Sequence, residues 1–332
     1  ASDNTAIGRS ALFANTTGTS NAALGGNALS ANTTADNNTA VGKFSLASNT
    51  TGSENTAVGK AALYANTTAS NNTAVGMNAL LSNTIGVQNV AVGESALDAK
   101  TEGSYNTACG TQALTSQTQS DYNSAFGWKA GASITTSTQN TAIGANALNS
   151  CTTGEKNNAF GYNALGAVTT GDFNVAVGRD TGSSLTTGSN NILIGGGAGG
   201  SDSPSGQLTG SSNQIVLGNN SITNCYIKVD WTVGSDERDK TDIQDITTGL
   251  NFVNQLKPKS FWFSKERGSD VKHGDKKYGF LAQDILSVEG SDPVIINNQD
   301  EDYLKYQGSH LIPILVNAIK ELSAKVTALE AG

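Results

Sequence analysis

Twelve glycines recur at a fixed interval of 17 residues: Gly8, Gly25, Gly42, Gly59, Gly76, Gly93, Gly110, Gly127, Gly144, Gly161, Gly178 and Gly195. No insertion or deletion interrupts the series. A period this strict defines a repeat architecture in which each unit contacts only its neighbours. The unit reads Asn-Thr-Ala-Val-Gly-x-x-Ala-Leu-x-x-Asn-Thr-Thr-Gly-x-x. A larger apolar residue precedes each glycine: Ile7, Leu24, Val41, Val58, Val75, Val92, Cys109, Phe126, Ile143, Phe160, Val177 and Ile194. A second apolar column runs through Leu12, Leu29, Leu46, Leu63, Leu80, Leu97, Leu114, Leu148 and Leu165, broken by Gly131 and Gly182. Helices need roughly ten residues between breakers, and these patches are shorter. Short strands joined by Asn-Thr-Thr-Gly turns fit better. The expected fold class is mainly β: a β-solenoid or β-roll rod of twelve 17-residue repeats over 1–200.

Two large side chains per unit make a thin core. At ~1.5–3 kcal/mol each, their burial hardly offsets the entropy of ordering a whole coil. Several chains packed around one axis would do better, so the expected rod is a homotrimer. If each coil advances by one strand spacing of ~4.8 Å, its length is on the order of 55 Å.

Composition narrows the function. The 38 glycines, with abundant Asn, Ser and Thr, would signal disorder in an aperiodic chain; the period argues for order. A net charge of −8 excludes nucleic acid from the expected partners. No run of 18 apolar residues exists, so no membrane insertion is expected. Residues 1–30 show no secretion signal, and the chain opens inside a repeat, as a fragment of a longer fibre would. Cys109, Cys151 and Cys225 are odd in number and far apart, without metal-ligand or disulfide spacing. Cys109 stands in the apolar column and reads as a small buried hydrophobe. This usage fits folding in a reducing cytoplasm. No metal and no cofactor is expected.

The rod carries no sign of catalysis. Its acids, such as Glu54, Glu94, Asp121 and Asp172, are scattered singly, and it has no histidine. The Asn-Thr-Thr triplets match the glycosylation pattern but read as turn residues bonding the backbone. Tyr64, Tyr105, Tyr122, Trp128, Tyr162 and Phe173 occupy variable positions and could form a receptor-binding surface.

Residues 201–234 form a connector. The run Gly195–Gly200 lacks the Gly-Lys-Ser/Thr ending of a phosphate loop and reads as a flexible or tightly turned joint. Asn213–Gly218 resembles one last repeat motif, displaced to a gap of 23. Tyr226–Val233 alternates like a strand and leads to Gly234-Ser235.

Beyond Ser235 the composition changes: residues 235–332 hold 28 of the 48 charged residues, while the first 234 hold 20. Both histidines fall here. His273 lies in a polar stretch and reads as exposed; His310 precedes the last helix and could cap it or pack. The terminal stretch places Ile312, Leu315, Ile319, Leu322, Val326 and Leu329 at spacings of 3, 4, 3, 4 and 3, a coiled-coil seam. Pro313 is tolerated only in a first turn.

The motif Asn-Thr-Ala-Val-Gly resembles the repeats in head domains of trimeric bacterial adhesins, which are left-handed parallel β-rolls with a shorter unit; it also occurs in phage fibre shafts. The segment 235–332 resembles the C-terminal intramolecular chaperone of phage tail fibres and tailspikes, the self-cleaving S74 peptidase family. Four pieces carry this: Ser235-Asp236-Glu237-Arg238-Asp239-Lys240 with Ile243; Leu256-Lys257-Pro258 before Phe261-Trp262-Phe263; Tyr278–Asp284; and Tyr303-Leu304-Lys305-Tyr306 running into the terminal helix. The resemblance implies a small α+β chaperone domain ending in a coiled-coil helix. It implies one cut per chain between Gly234 and Ser235, with Ser235 as nucleophile and Lys240 as base. Ser–Lys pairs are a variant of triad logic, and the lysine must lose its proton through burial or nearby positive charge. Asp239 departs from the family, which often has an apolar or basic residue there; an acid implies a raised lysine pKa and slower cleavage. The competing structural reading makes Ser235 a helix cap with Asp236 and Glu237 in the first turn.

The expected protein is a virion tail fibre or spike component, assembled in the host cytoplasm. Its expected partners are two further copies of itself, a host surface receptor (glycan or protein) and other virion tail proteins. Three rivals are an uncleaved trimeric adhesin with a permanent C-terminal clamp, a surface adhesin with signal and anchor, and a glycan-degrading fibre enzyme.

Overall fold

The computed structural model describes residues 2–229, 232–264, 267–299 and 301–332. The chain divides into two compact units, Ala1–Asn219 and Asn220–Gly332.

The first unit is a parallel β-solenoid. Thirteen three-residue strands, from β1 (Thr5–Ile7) to β12 (Ile192–Ile194) and β13 (Ile215–Leu217), form one sheet in sequence order. Thr5 pairs with Ala22, and the same step of 17 recurs up to β12. The last step differs: Ile192 pairs with Ile215, a step of 23. The extra residues are absorbed by tight turns at Gly197–Gly206, where Gly200 N donates to Gly197 O and Gly206 N to Ser203 O.

The repeat glycine has a steric cause. A Cβ on Gly8 would stand 2.6 Å from the carbonyl oxygen of Gly25 in the next coil, and its φ is +128°. Only glycine lets successive coils stack so closely there.

The strand pattern corrects the expected core. From β2 (Ala22–Leu24) to β13 the middle residue of each strand is buried and its neighbours face outward, as the two-residue period requires. Ala40, Ala57 and Ala74 are therefore fully buried, while the larger residues before the glycines lie on the surface. Cys109 belongs to that outer column and is exposed, contrary to the buried reading; Cys151 is the buried one. The interior holds stacked alanines facing the stacked leucines of the second column. This core closes within one chain, so its thinness does not by itself require three.

Two asparagine ladders complete the interior. Asn38, Asn55 and Asn72 are buried; each accepts from the backbone N–H of the next rung through Oδ1 and donates through Nδ2 to a carbonyl. The second ladder runs Asn15, Asn32, Asn49, Asn66 and Asn83, each amide from Asn32 onward donating to the rung before. Buried polar groups need such partners, and the coils supply them at every step. The triplet asparagines are thus interior rungs.

Both breaks in the leucine column are compensated. Leucines there sit in the left-handed region, as at Leu63 with φ 51°. Gly131 adopts the same conformation at φ +60° without a side-chain penalty. The vacated volume is filled by Ile134, which replaces the asparagine three residues on, and at Gly182 by Leu185 and Leu193.

The second unit contains α1 (Leu250–Val253), an antiparallel pair β14 (Lys259–Ser264) and β15 (Lys272–Gly279), α2 (Ala282–Glu289), a pair β16 (Ile296–Asn297) and β17 (Lys305–Tyr306), and α3 (Leu311–Glu330). Its core gathers Ile285, Ile295, Ile296 and Leu311, with Phe252, Phe280 and Ile314 against them. Tyr226–Val233 was expected as a strand; its described residues form none, and Asp230 and Trp231 lie outside the described residues. Tyr226, Val229 and Val233 are exposed, and a lone alternating segment has no ladder to join. His273, expected in a loop, stands in β15 opposite Phe263. It is half-buried, and its Nε2 lacks a hydrogen-bond partner.

Candidate active site

The chain from Gly234 enters a single 3₁₀ turn, Glu237–Asp239. Asp236, not Ser235, is its N-cap: its carboxylate accepts from Arg238 N at 2.9 Å and pairs with the Arg238 guanidinium at 2.6 Å. The guanidinium bonds first, and the backbone N–H second, hold the Asp236 carboxyl below its ordinary pKa. The capping reading of Ser235 therefore fails, and its hydroxyl is free for another partner.

That partner is Lys240. Its Nζ donates to Ser235 Oγ at 2.8 Å and to Ser235 O at 2.9 Å. The turn brings side chains five residues apart within hydrogen-bond reach, the distance a base needs to collect a nucleophile's proton. Both residues are exposed. Among the described residues, Asp239 makes no ion pair with Lys240. Gly234 has open space around it and no left-handed φ.

Residues the sequence reading passed over tie this segment to α3. Asn317 Nδ2 donates to Thr248 O at 3.0 Å and to Ile246 O at 3.3 Å. Glu321 Oε2 accepts from Leu250 N at 3.1 Å. Gly249 is buried where any Cβ would run into the Glu321 carboxylate. Two polar residues on one face of an otherwise apolar-striped helix were the available signal. Glu289 plays a similar part, accepting from Val294, Ile295 and Ile296 N–H at 2.8, 2.6 and 3.0 Å. His310 makes no side-chain cap; its Nδ1 lies 2.9 Å from Val294 O.

Helix α3 uses two faces. Leu311, Ile314 and Ala318 pack on its own unit. The six seam residues, Ile312, Leu315, Ile319, Leu322, Val326 and Leu329, are all exposed, from 37% at Leu315 to 82% at Leu329. Among the described residues, no cluster of potential metal ligands occurs and no helix is long and apolar enough to cross a membrane.

The chain is a parallel β-solenoid followed by a small unit near whose start Ser235 and Lys240 are in contact. Residues 235–293 match the family described as the chaperone of endosialidase, peptidase S74, and the match begins at Ser235. The match covers 59 of the 332 residues, and with the solenoid that precedes it supports a reading as a tail-fibre protein with a C-terminal chaperone domain. No curated protein and no solved structure matches the chain.

Proposed function

We propose that the protein is a trimeric virion tail fibre or spike component used in host attachment, whose C-terminal domain aligns three chains and then releases itself. Alignment is the physical problem of such a rod. Its coils repeat every 17 residues, so two chains can associate one coil out of step at little energetic cost. A non-repetitive domain with an exposed apolar seam has only one good pairing, and it brings the rods into step before they zip up.

Release is a single turnover at Gly234–Ser235. Neutral Lys240 Nζ takes the hydroxyl proton of Ser235. The oxygen attacks the Gly234 carbonyl carbon, and the proton passes to the leaving Ser235 nitrogen. Water then hydrolyses the ester, leaving a Gly234 carboxylate and restoring the hydroxyl. An exposed ammonium donates in its contact with Ser235; a base must first lose that proton, and burial promotes the loss. Assembly of three chains would supply the burial, so cutting waits for alignment. Once the aligner is gone, the rod cannot unfold by the route it folded.

The observation that carries this reading is the 2.8 Å Lys240–Ser235 contact at the first residue of the family match. Host attachment is supported by exposed aromatics on the rod, including Tyr105 stacked on Tyr122 with centroids 5.1 Å apart, a surface suited to a glycan or outer-surface protein. Comparing wild type with Ser235→Ala on a denaturing gel tests the cut. Two bands of 234 and 98 residues should merge into one, and a wild type that stays whole refutes the peptidase half of the proposal.

A further inference from the structure

The outward column before the repeat glycines is apolar at every rung from Ile7 to Leu217, through Val75, Cys109, Phe126 and Phe160. Other exposed columns are mixed. Two residues earlier the strands carry Thr39, Thr56 and Asn158; two residues later come Arg9, Lys43 and Glu94. Scattered exposed apolar residues need no explanation, but an unbroken stripe along a whole rod marks an interface. The stripe cannot turn inward, because the interior from β2 to β11 (Val175–Val177) is filled by stacked alanines at 0–1% exposure and at β12 and β13 by Leu193 and Val216.

We propose that this stripe lies at the axis of the trimer, each copy presenting it to the other two in parallel and in register. The inference rests on the trimeric reading above and assigns the face that reading leaves open. Two arguments select a copy of this chain as the occupant. The first is pitch: rungs recur once per coil, and only a surface with the same rise can match all thirteen strands of the sheet. A parallel copy has that rise by identity, and closed cyclic symmetry lets three stripes meet. The second is area. Most of these side chains are 36–59% exposed; at on the order of 60 Å² apiece, the stripe offers roughly 800 Å² per chain, the size of a standard specific interface. Its composition also explains the need for an aligner. Val41, Val58, Val75 and Val92 are interchangeable under a one-coil slip, and only bulky rungs such as Phe126 and Phe160 resist it.

Cys109 reports on this face directly. In the full chain carrying Cys225→Ser, Cys109 is the one exposed thiol, since Cys151 is buried. Light scattering first fixes the mass, and a short bis-maleimide is then added. The expected result is a trimer in which up to two of every three chains become covalent dimers through Cys109, while a polyethylene-glycol maleimide fails to label it without denaturant. A Cys109→Ser, Thr111→Cys control, two residues along the same strand exit, should label freely. A trimer whose Cys109 labels freely and does not cross-link overturns the face assignment and leaves the trimer standing. A monomer overturns both. Val75→Lys with Val92→Lys provides a second reading. Both positions face outward, so circular dichroism should be unchanged while the trimer fraction falls at least tenfold; Met77→Lys should leave it intact.

Discussion

Lys100 takes the place of an asparagine rung and is the largest side chain fully buried in the rod. Its Nζ donates to Ser120 O at 2.9 Å and to Gln117 Oε1 at 3.4 Å. Burial pulls its pKa down from 10.5 to about 8, with the Asp121 carboxylate opposing. The rung before it suffers too: Asn83 Oδ1 is buried without a partner. Lys100→Asn should repair both faults. The new amide can donate to Asn83 Oδ1 as Asn83 donates to Asn66 at 3.1 Å, relieving a buried unsatisfied acceptor that costs ~1–3 kcal/mol. The ammonium disappears as well. Its folded pKa lies below its unfolded value, so between about 8 and 10.5 the unfolded chain binds more protons, and wild-type stability rises with pH across that window. Below it the buried charge costs on the order of 3 kcal/mol, at ~1.4 kcal/mol per tenfold. The other side loses one bond: Ser120 O keeps a donor, Asn106 Nδ2 at 2.9 Å, but buried Gln117 Oε1 loses Lys100 Nζ, which offsets the repair at Asn83. We expect a net gain of ~2–4 kcal/mol at pH 7, falling to about zero near pH 10.5. Guanidinium denaturation of both proteins at several pH values measures it. A variant no more stable than wild type at pH 7, or a gain that ignores pH, refutes the reasoning.

Three further outcomes follow from named contacts. Gly131→Leu alone places a Cβ 2.8 Å from Leu114 Cδ2 and 3.0 Å from Ile134 Cδ1, and Ile134→Asn alone leaves a hole. Together they restore the Leu63–Asn66 arrangement of a standard coil, so a double-mutant cycle should show favourable coupling of ~2–3 kcal/mol, whereas additivity would contradict the compensation. Glu289→Ala strips the acceptor from three backbone N–H groups and should destabilise the C-terminal unit by ~2–4 kcal/mol, read as a lower denaturation midpoint by near-ultraviolet circular dichroism. Lys240→Arg keeps the charge but cannot serve as a base; no released fragment should appear on a gel, and cleavage at the wild-type rate would remove Lys240 from its proposed role.

Much of the fold was legible because the period of 17 and the Gly-Asn-Thr turn chemistry admit few solutions. Facing was not legible. In a three-residue strand, Ala and Val are both apolar, and only the narrow interior decides that Ala57 goes in and Val58 out. The compensation of Gly131 by Ile134 was equally hidden, since it links positions that touch only after the coil has closed. In the second unit the Ser235–Lys240 spacing pointed to a pair that the 3₁₀ turn brings into contact. Asn317 and Glu321 escaped notice because their partners are backbone groups about 70 residues away. Tyr226–Val233 misled because alternation describes a strand's faces and says nothing of whether a neighbour exists.

The central claim is that a periodic rod borrows a removable domain to find its alignment. It is tested most directly by producing residues 1–234 alone beside the full chain and measuring the yield of heat-resistant trimer by unboiled gel electrophoresis and light scattering. The account predicts homogeneous trimers from the full chain and monomers or staggered, heat-labile assemblies from the shortened one. Equal yields of the same heat-resistant trimer from both would contradict it.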